Sequence, residues 1–94
     1  MGKPEGTIEN YLRQLCQNNG ILYYKFTSPG HAGVPDRIVI GYGKVVYVEL
    51  KRPGGKPRAL QEHVFQQMRQ AGATVIVIDT KEKANAFVAA LRKD

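Results

Sequence analysis

Three residues stand out by type and spacing: Asp36, which follows Pro35, and the pair Glu49 and Lys51 in the run Val48-Glu49-Leu50-Lys51. Alternate side chains of an extended strand share a face, so Glu49 and Lys51 point one way while Val48 and Leu50 point the other. An acid and a base are thereby fixed side by side. Asp36 lies at the mouth of the preceding β-rich run, and antiparallel pairing of the two runs brings it beside the strand end that carries Glu49. Two carboxylates then converge on one point. Hard oxygen donors of this kind suit a divalent cation such as Mg²⁺ or Mn²⁺, held by one or two carboxylates together with waters and a phosphate. Such a cation polarises a phosphoryl oxygen and lowers the pKa of a bound water. Lys51 beside it could orient that water, stabilise developing negative charge, or serve as general base; the spacing leaves these roles open.

Each residue also has a plainer explanation. An isolated Pro-Asp is most often a turn whose carboxylate binds nearby amides. An exposed Glu and Lys on one face of an edge strand contribute well under about 1 kcal/mol. The chemical reading gains weight because Glu49 ends the run Val45-Val46-Tyr47-Val48, where a carboxylate is partly buried and needs a partner. The basic stretch with Arg52, Lys56 and Arg58 follows Lys51 and would overhang the cation, placed to clamp phosphates; otherwise it is a solvated linker. His31, in a glycine-rich loop before Asp36, would reach a substrate or simply sit in solvent. In Tyr23-Tyr24-Lys25-Phe26 the interleaved rings suit base stacking, although half of them belong to a core if the segment is a strand.

Positioning these residues requires a scaffold, and the periodicity supplies one. Ile8, Leu12, Leu15 and Cys16 mark a helix capped by Thr7 and ended by Asn19-Gly20. Ile21 to Thr27 reads as a strand, followed by the Gly/Pro loop of residues 28–35. Arg37 to Tyr42 and Val45 to Lys51 form two further strands in a hairpin around Gly43-Lys44. A flexible connection, residues 52–57, leads to a helix with Leu60, Val64, Met68 and Ala71 inward, closed by Gly72. Thr74 to Ile78 reads as a strand buried on both faces. Thr80 caps a last helix with Ala84, Phe87, Val88 and Leu91 inward. The order α-β-β-β-α-β-α implies an α/β fold with a mixed central sheet flanked by helices.

The chain of 94 residues is expected to form a single domain, 1–94, small enough that pairing into a homodimer is a reasonable way to bury more apolar surface. With 14 Lys+Arg against 8 Asp+Glu, a net charge of +6 and a pI near 9.7, it favours a polyanionic partner, nucleic acid first. The single Cys16 excludes an internal disulfide and a Cys-based metal cluster, and fits a reducing compartment. No signal-peptide core or membrane-spanning apolar run is present, so a soluble, cytoplasmic protein without a membrane partner is expected.

Pro35-Asp36 followed by Glu49-Leu50-Lys51 resembles the motif of the PD-(D/E)XK nuclease superfamily. More narrowly, Gly33-Val34-Pro35-Asp36-Arg37, the segment from Val46 to Pro53, Gln61 on the following helix and Glu9 on the first resemble the virus-type replication-repair nuclease (VRR-NUC) domain, in its short stand-alone phage and bacterial form. The resemblance covers nearly the whole chain and implies a restriction-endonuclease-like core. It implies that Asp36, Glu49 and the backbone carbonyl of Leu50 bind Mg²⁺ or Mn²⁺, that Lys51 is the catalytic lysine, and that Glu9 helps hold the metal directly or through water. Gln61 would support the lysine or the phosphate. It further implies a DNA endonuclease with structure-selective action on branched DNA such as four-way junctions or flaps, by a homodimer, in the replication, repair or recombination of a bacterium or phage-infected host. Two other readings remain distinct: a catalytically silent DNA-binding module of the same fold, and a structural subunit. Cleavage separates the first reading from both, and salt-sensitive DNA binding separates these two from each other.

Overall fold

Ile8, Leu12 and Cys16, spaced four apart, lie on the buried side of one helix, α1 (Pro4–Asn18). The computed structural model describes residues 4–93, with side chains over residues 7–93. Thr7 falls inside α1 rather than capping it, because the helix begins at Pro4, and a proline loses nothing in a first turn whose N–H groups have no helical partner. The C-terminal end is where the sequence places it. Gly20 adopts φ +68°, and the Ile21 and Gly20 amides return to the carbonyls of Cys16 (2.9 Å) and Gln17 (3.4 Å). Gly72 ends the second helix in the same way, at φ +111° with Ala73 bonded to Met68 at 2.9 Å. Both are Schellman caps, which need a left-handed residue that only glycine supplies without strain.

The strands are β1 (Leu22–Lys25), β2 (Arg37–Gly41), β3 (Lys44–Leu50) and β4 (Thr74–Ile78), with α2 (Ala59–Gln70) between β3 and β4 and α3 (Lys81–Leu91) last. They form one mixed sheet in the order β1-β2-β3-β4. β1, β2 and β3 pair antiparallel, and β4 runs parallel to β3 after the α2 crossover. The expected α/β order is therefore the observed one. The hairpin loop is Tyr42-Gly43, not Gly43-Lys44: Gly41 pairs with Lys44, and Tyr42 (φ 54°) and Gly43 (φ 75°) make the primed turn that matches strand twist. β4 is less buried than a two-sided strand would be, since it lies at the sheet edge; Val75 and Ile78 are buried while Ile76 and Val77 are only half-buried.

α1 and α3 pack together on one face of the sheet over Val39, Val46, Val48, Leu50 and Ile78. By strand alternation Glu49 and Lys51 face the opposite side, where α2 packs on β4. α2 buries a different stripe from the one expected. Phe65 is its buried residue, Val64 and Met68 are half-buried, and Leu60 and Ala71 are exposed. The first turn of α2 thus stands over the site instead of over a core, which leaves Leu60 uncovered.

Lys44 ties the hairpin to α3. Its Nζ donates to the carbonyls of Leu91 (2.9 Å), Ala90 (3.5 Å) and, just past the helix, Lys93, a group of acceptors at the negative pole of α3. Lys44→Met is expected to cost about 1–2 kcal/mol. Urea unfolding should show a lower midpoint with an unchanged slope.

Candidate active site

The register places Arg37 opposite Val48, so the next pair outward is Asp36 and Glu49. The Asp36 N–H donates to Glu49 Oε1 at 3.2 Å, and the Asp36 carbonyl accepts from the Phe26 amide at 2.7 Å, which prolongs the β1–β2 pairing by one step. Pro35 before it is fully buried and anchors the end of the loop. On β3, the Lys51 amide still pairs with the Ile78 carbonyl at 3.0 Å, so the alternation that sets Glu49 and Lys51 on one face continues past the last strand residue.

Glu49 is 2% exposed and is surrounded by donors. Its Oε2 accepts from Gln61 Nε2 at 2.9 Å and lies 3.1 Å from Lys51 Nζ. Gln61 is the hub of the group. Its Oε1 accepts from the Arg58 amide (2.9 Å) and from Lys51 Nζ (3.2 Å). Both of those partners can only donate, so the carboxamide has one allowed orientation, with Nε2 turned to Glu49. The bond from the Arg58 amide also satisfies the N-cap N–H at the start of α2. One side chain therefore caps the start of α2 and holds Glu49 beside Lys51.

Burial first, and the neighbouring Asp36 carboxylate second, push the Glu49 carboxyl above its ordinary value, while the bonds from Lys51 and Gln61 pull the other way. Asp36, Glu49, Lys51, Gln61 and Arg58 line one cleft of about 340 Å³, closed on its other side by Ala32, Gly33 and Leu60. No soft or imidazole donor lines it. Two carboxylates, with the strand carbonyl of Leu50 between Glu49 and Lys51, fit a hard divalent cation that completes its shell with water and substrate oxygen. The Leu50 side chain is buried in the core on the far face, so it can contribute only through its backbone. Among the described residues no group of three or more His, Cys, Asp or Glu could hold a metal. Cys16 offers no alternative nucleophile, because burial pushes its thiol to about 11.

Other residues marked from the sequence lie outside the cleft lining. Glu9 stays on the α1 side, 3.3 Å from Arg13 Nη2, 3.8 Å from Arg37 Nη2, and accepting from the Tyr23 hydroxyl at 3.4 Å. His31, Arg52 and Lys56 are exposed on the two flanking loops, and of the basic stretch only Arg58 lines the cleft. Nor is residues 52–57 simply a flexible connection. The Gly55 amide closes a turn on the Arg52 carbonyl at 2.8 Å, and the Gly54 amide donates to Asp79 Oδ2 at 3.1 Å. Asp79 is itself held by Lys83 at 2.9 Å, and these bonds, Lys83 first, keep its carboxyl below the usual value. Two participants escaped the sequence reading. Asp79, a carboxylate closing an apolar strand, carried a signal in its position. Arg37, whose Nη1 donates to the Asp36 carbonyl at 3.1 Å, carried only its place in the Pro-Asp-Arg string.

No protein-family model matches the chain. It is 38% identical over 86 residues to "Putative nuclease p44" of Acyrthosiphon pisum secondary endosymbiont phage 1, an alignment covering 90% of this chain and 92% of that protein. A solved structure described as a VRR_NUC domain superposes with a TM-score of 0.85 at 26% identity, covering 94% of this chain and 97% of the other. Fold, sequence relationship and the convergence of the Pro-Asp and Glu-x-Lys elements agree, and the chain belongs to the VRR-NUC family of nucleases.

Proposed function

We propose that the protein is a metal-dependent DNA endonuclease, selective for branched DNA, in which Asp36, Glu49, Lys51 and Gln61 carry the reaction. The observation that supports this most is the single cleft shared by two carboxylates, an ammonium group and the carboxamide that locks them together. Mg²⁺ or Mn²⁺ held by Asp36, Glu49 and the Leu50 carbonyl would supply Lewis-acid polarisation of the phosphoryl oxygen and a more acidic attacking water. Lys51 places positive charge where the phosphate accumulates negative charge, and no reorganisation is needed because Gln61 already fixes its direction. Arg58 at the lip binds a phosphate and holds the strand, with Arg52 and Lys56 on the tethered turn, and His31 on the opposite loop, as outer contacts.

The homodimer reading is supported by an uncovered sheet face. Leu22, Ile40 and Val45 form one cross-strand row and Tyr24, Ile38 and Tyr47 the next. They lie on the α2 side of the sheet, but α2 packs over β4, leaving Leu22, Tyr24 and Val45 about half exposed. A second copy covering these rows would set two clefts at a defined spacing, which a four-way junction needs for paired cuts. Leu22→Glu combined with Tyr24→Glu is expected to weaken pairing by about 2 kcal/mol or more, roughly 30-fold. Light scattering should then report monomer, with single nicks replacing paired cuts.

The decisive assay incubates the protein with labelled duplex, flap and four-way-junction DNA in Mg²⁺, Mn²⁺ or chelator, beside Glu49→Ala and Lys51→Ala. Cation-dependent cutting, fastest on branched DNA and lost in both variants, is expected. Cutting in chelator, or full activity in both variants, overturns the mechanism; salt-sensitive DNA binding with no cutting would leave only a binding module.

A further inference from the structure

Outside the cleft lining, Arg37 has the most consequential set of contacts. Its side chain is 18% exposed, with Cζ 5.9 Å from the centre of the Tyr23 ring. One edge of the guanidinium faces Glu9 Oε2 (Nη2, 3.8 Å), and the other donates to the Asp36 carbonyl (Nη1, 3.1 Å). That carbonyl already accepts the Phe26 amide, so Arg37 fills its second lone pair. The Asp36 amide in turn donates to Glu49 Oε1. A continuous path therefore runs from α1 through Glu9, Arg37 and the Asp36 peptide to the buried acid.

We propose that Arg37 is a positioning residue for the nuclease site, with Glu9 as its counter-ion, so that Glu9 acts through Arg37 rather than as a ligand of the cation. The inference rests on reading Asp36 and Glu49 as the cation-binding pair. Asp36 stands where the Gly/Pro loop meets β2, and the direction of its carboxylate depends on how its peptide is held. Small displacements of such a group are costly: a misplacement of about 1 Å can reduce a rate on the order of 10²-fold. A planar guanidinium can bind a carboxylate on one edge and a carbonyl on another, which an ammonium cannot reproduce with one geometry. Arg37 is largely withdrawn from solvent and needs a counter-charge nearby, and Glu9, absent from the cleft lining, supplies it.

The test uses the whole chain as wild type, Glu9→Gln, Arg37→Met, Arg37→Lys and the Glu9→Gln/Arg37→Met double variant, each checked by thermal melting. Mn²⁺ alone is titrated by calorimetry, and binding to junction DNA is measured in chelator across a salt series. Arg37→Met is expected to weaken Mn²⁺ binding by about tenfold or more and to lower kcat with little change in KM. Glu9→Gln should do the same to a smaller degree, and the double variant should be no worse than Arg37→Met. DNA affinity and its salt slope should not change. Additive losses in the double variant would make Glu9 an independent ligand, and unaltered Mn²⁺ affinity in Arg37→Met would remove Arg37 from the site; either overturns the proposal. A salt slope reduced by about one would make Arg37 a phosphate contact instead. If Arg37→Met melts below the assay temperature, Arg37→Lys alone and with Glu9→Gln carries the same comparison. A wild type that binds no Mn²⁺ would defeat the Asp36–Glu49 reading itself, an outcome distinct from wild-type binding that Arg37 does not influence.

Discussion

In Glu49→Gln, DNA cleavage is expected to fall by on the order of 10³-fold, while the protein loses a pH-dependent strain that the wild type carries. Glu49 is buried beside the Asp36 carboxylate, and both effects raise its pKa above the ordinary 4.5. The folded state therefore binds this proton more tightly than the unfolded chain does. Its contribution to stability is complete below pH 4.5 and is lost as pH rises through the raised folded value. Asp79 behaves in the opposite sense: its lowered pKa gives stability that is present above the ordinary 3.8 and lost as pH falls through the folded value. Subtracting the Glu49→Gln stability curve from that of the wild type cancels Asp79 and isolates Glu49. In chelator the difference should move against the wild type as pH rises above 4.5. A flat difference would show that Glu49 is not strained. Mn²⁺ at about 100 times its Kd should restore about 2.7 kcal/mol to the wild type, a rise in Tm of roughly 10–20 °C, and little to the variant.

Lys51→Met should lower kcat by about 10²–10³-fold, equivalent to about 3–4 kcal/mol, while DNA affinity in chelator changes little. The ammonium sits 3.1 Å from Glu49 Oε2 and 3.2 Å from Gln61 Oε1, so it is held within the cleft rather than on the outer DNA surface. Lys51→Arg then separates two roles. A guanidinium keeps the charge but cannot accept a proton at accessible pH. Activity within about tenfold of wild type in Lys51→Arg would assign charge stabilisation to Lys51. A loss as deep as that of Lys51→Met, with an intact fold and Mn²⁺ affinity, would instead fit proton transfer. Retention of wild-type kcat in Lys51→Met would remove the lysine from the mechanism.

Much of this site could be read from the chain because its key relationships are local. Glu49 and Lys51 share a face through strand alternation, and Asp36 meets Glu49 because a short hairpin puts the start of β2 opposite the end of β3. Gly20 and Gly72 end their helices through left-handed backbone that the residue type itself permits. The misread elements depended on neighbours far along the chain. Leu60 fits a helical stripe with Val64 and Met68, yet Phe65 is buried instead, because the face of α2 that is covered is the one packed on β4, far along the chain. Residues 52–57 have the composition of a loose linker, and their tether is Asp79, at the end of β4.

By itself the sequence determined the order of elements, the glycine-capped C-terminal ends of α1 and α2, and the meeting of two carboxylates with a lysine at one end of the two central strands, since periodicity and hairpin register act over a few residues. Only the tertiary structure decided which groups surround that meeting point. It turned Gln61 to join Glu49, Lys51 and the start of α2, kept Glu9 with Arg37 on the α1 side, and left Leu22, Tyr24 and Val45 half exposed on the α2 side of the sheet. The reason is that these contacts join elements whose relative placement comes from packing two layers of helices on a twisted sheet, a balance of buried surface that no local pattern encodes.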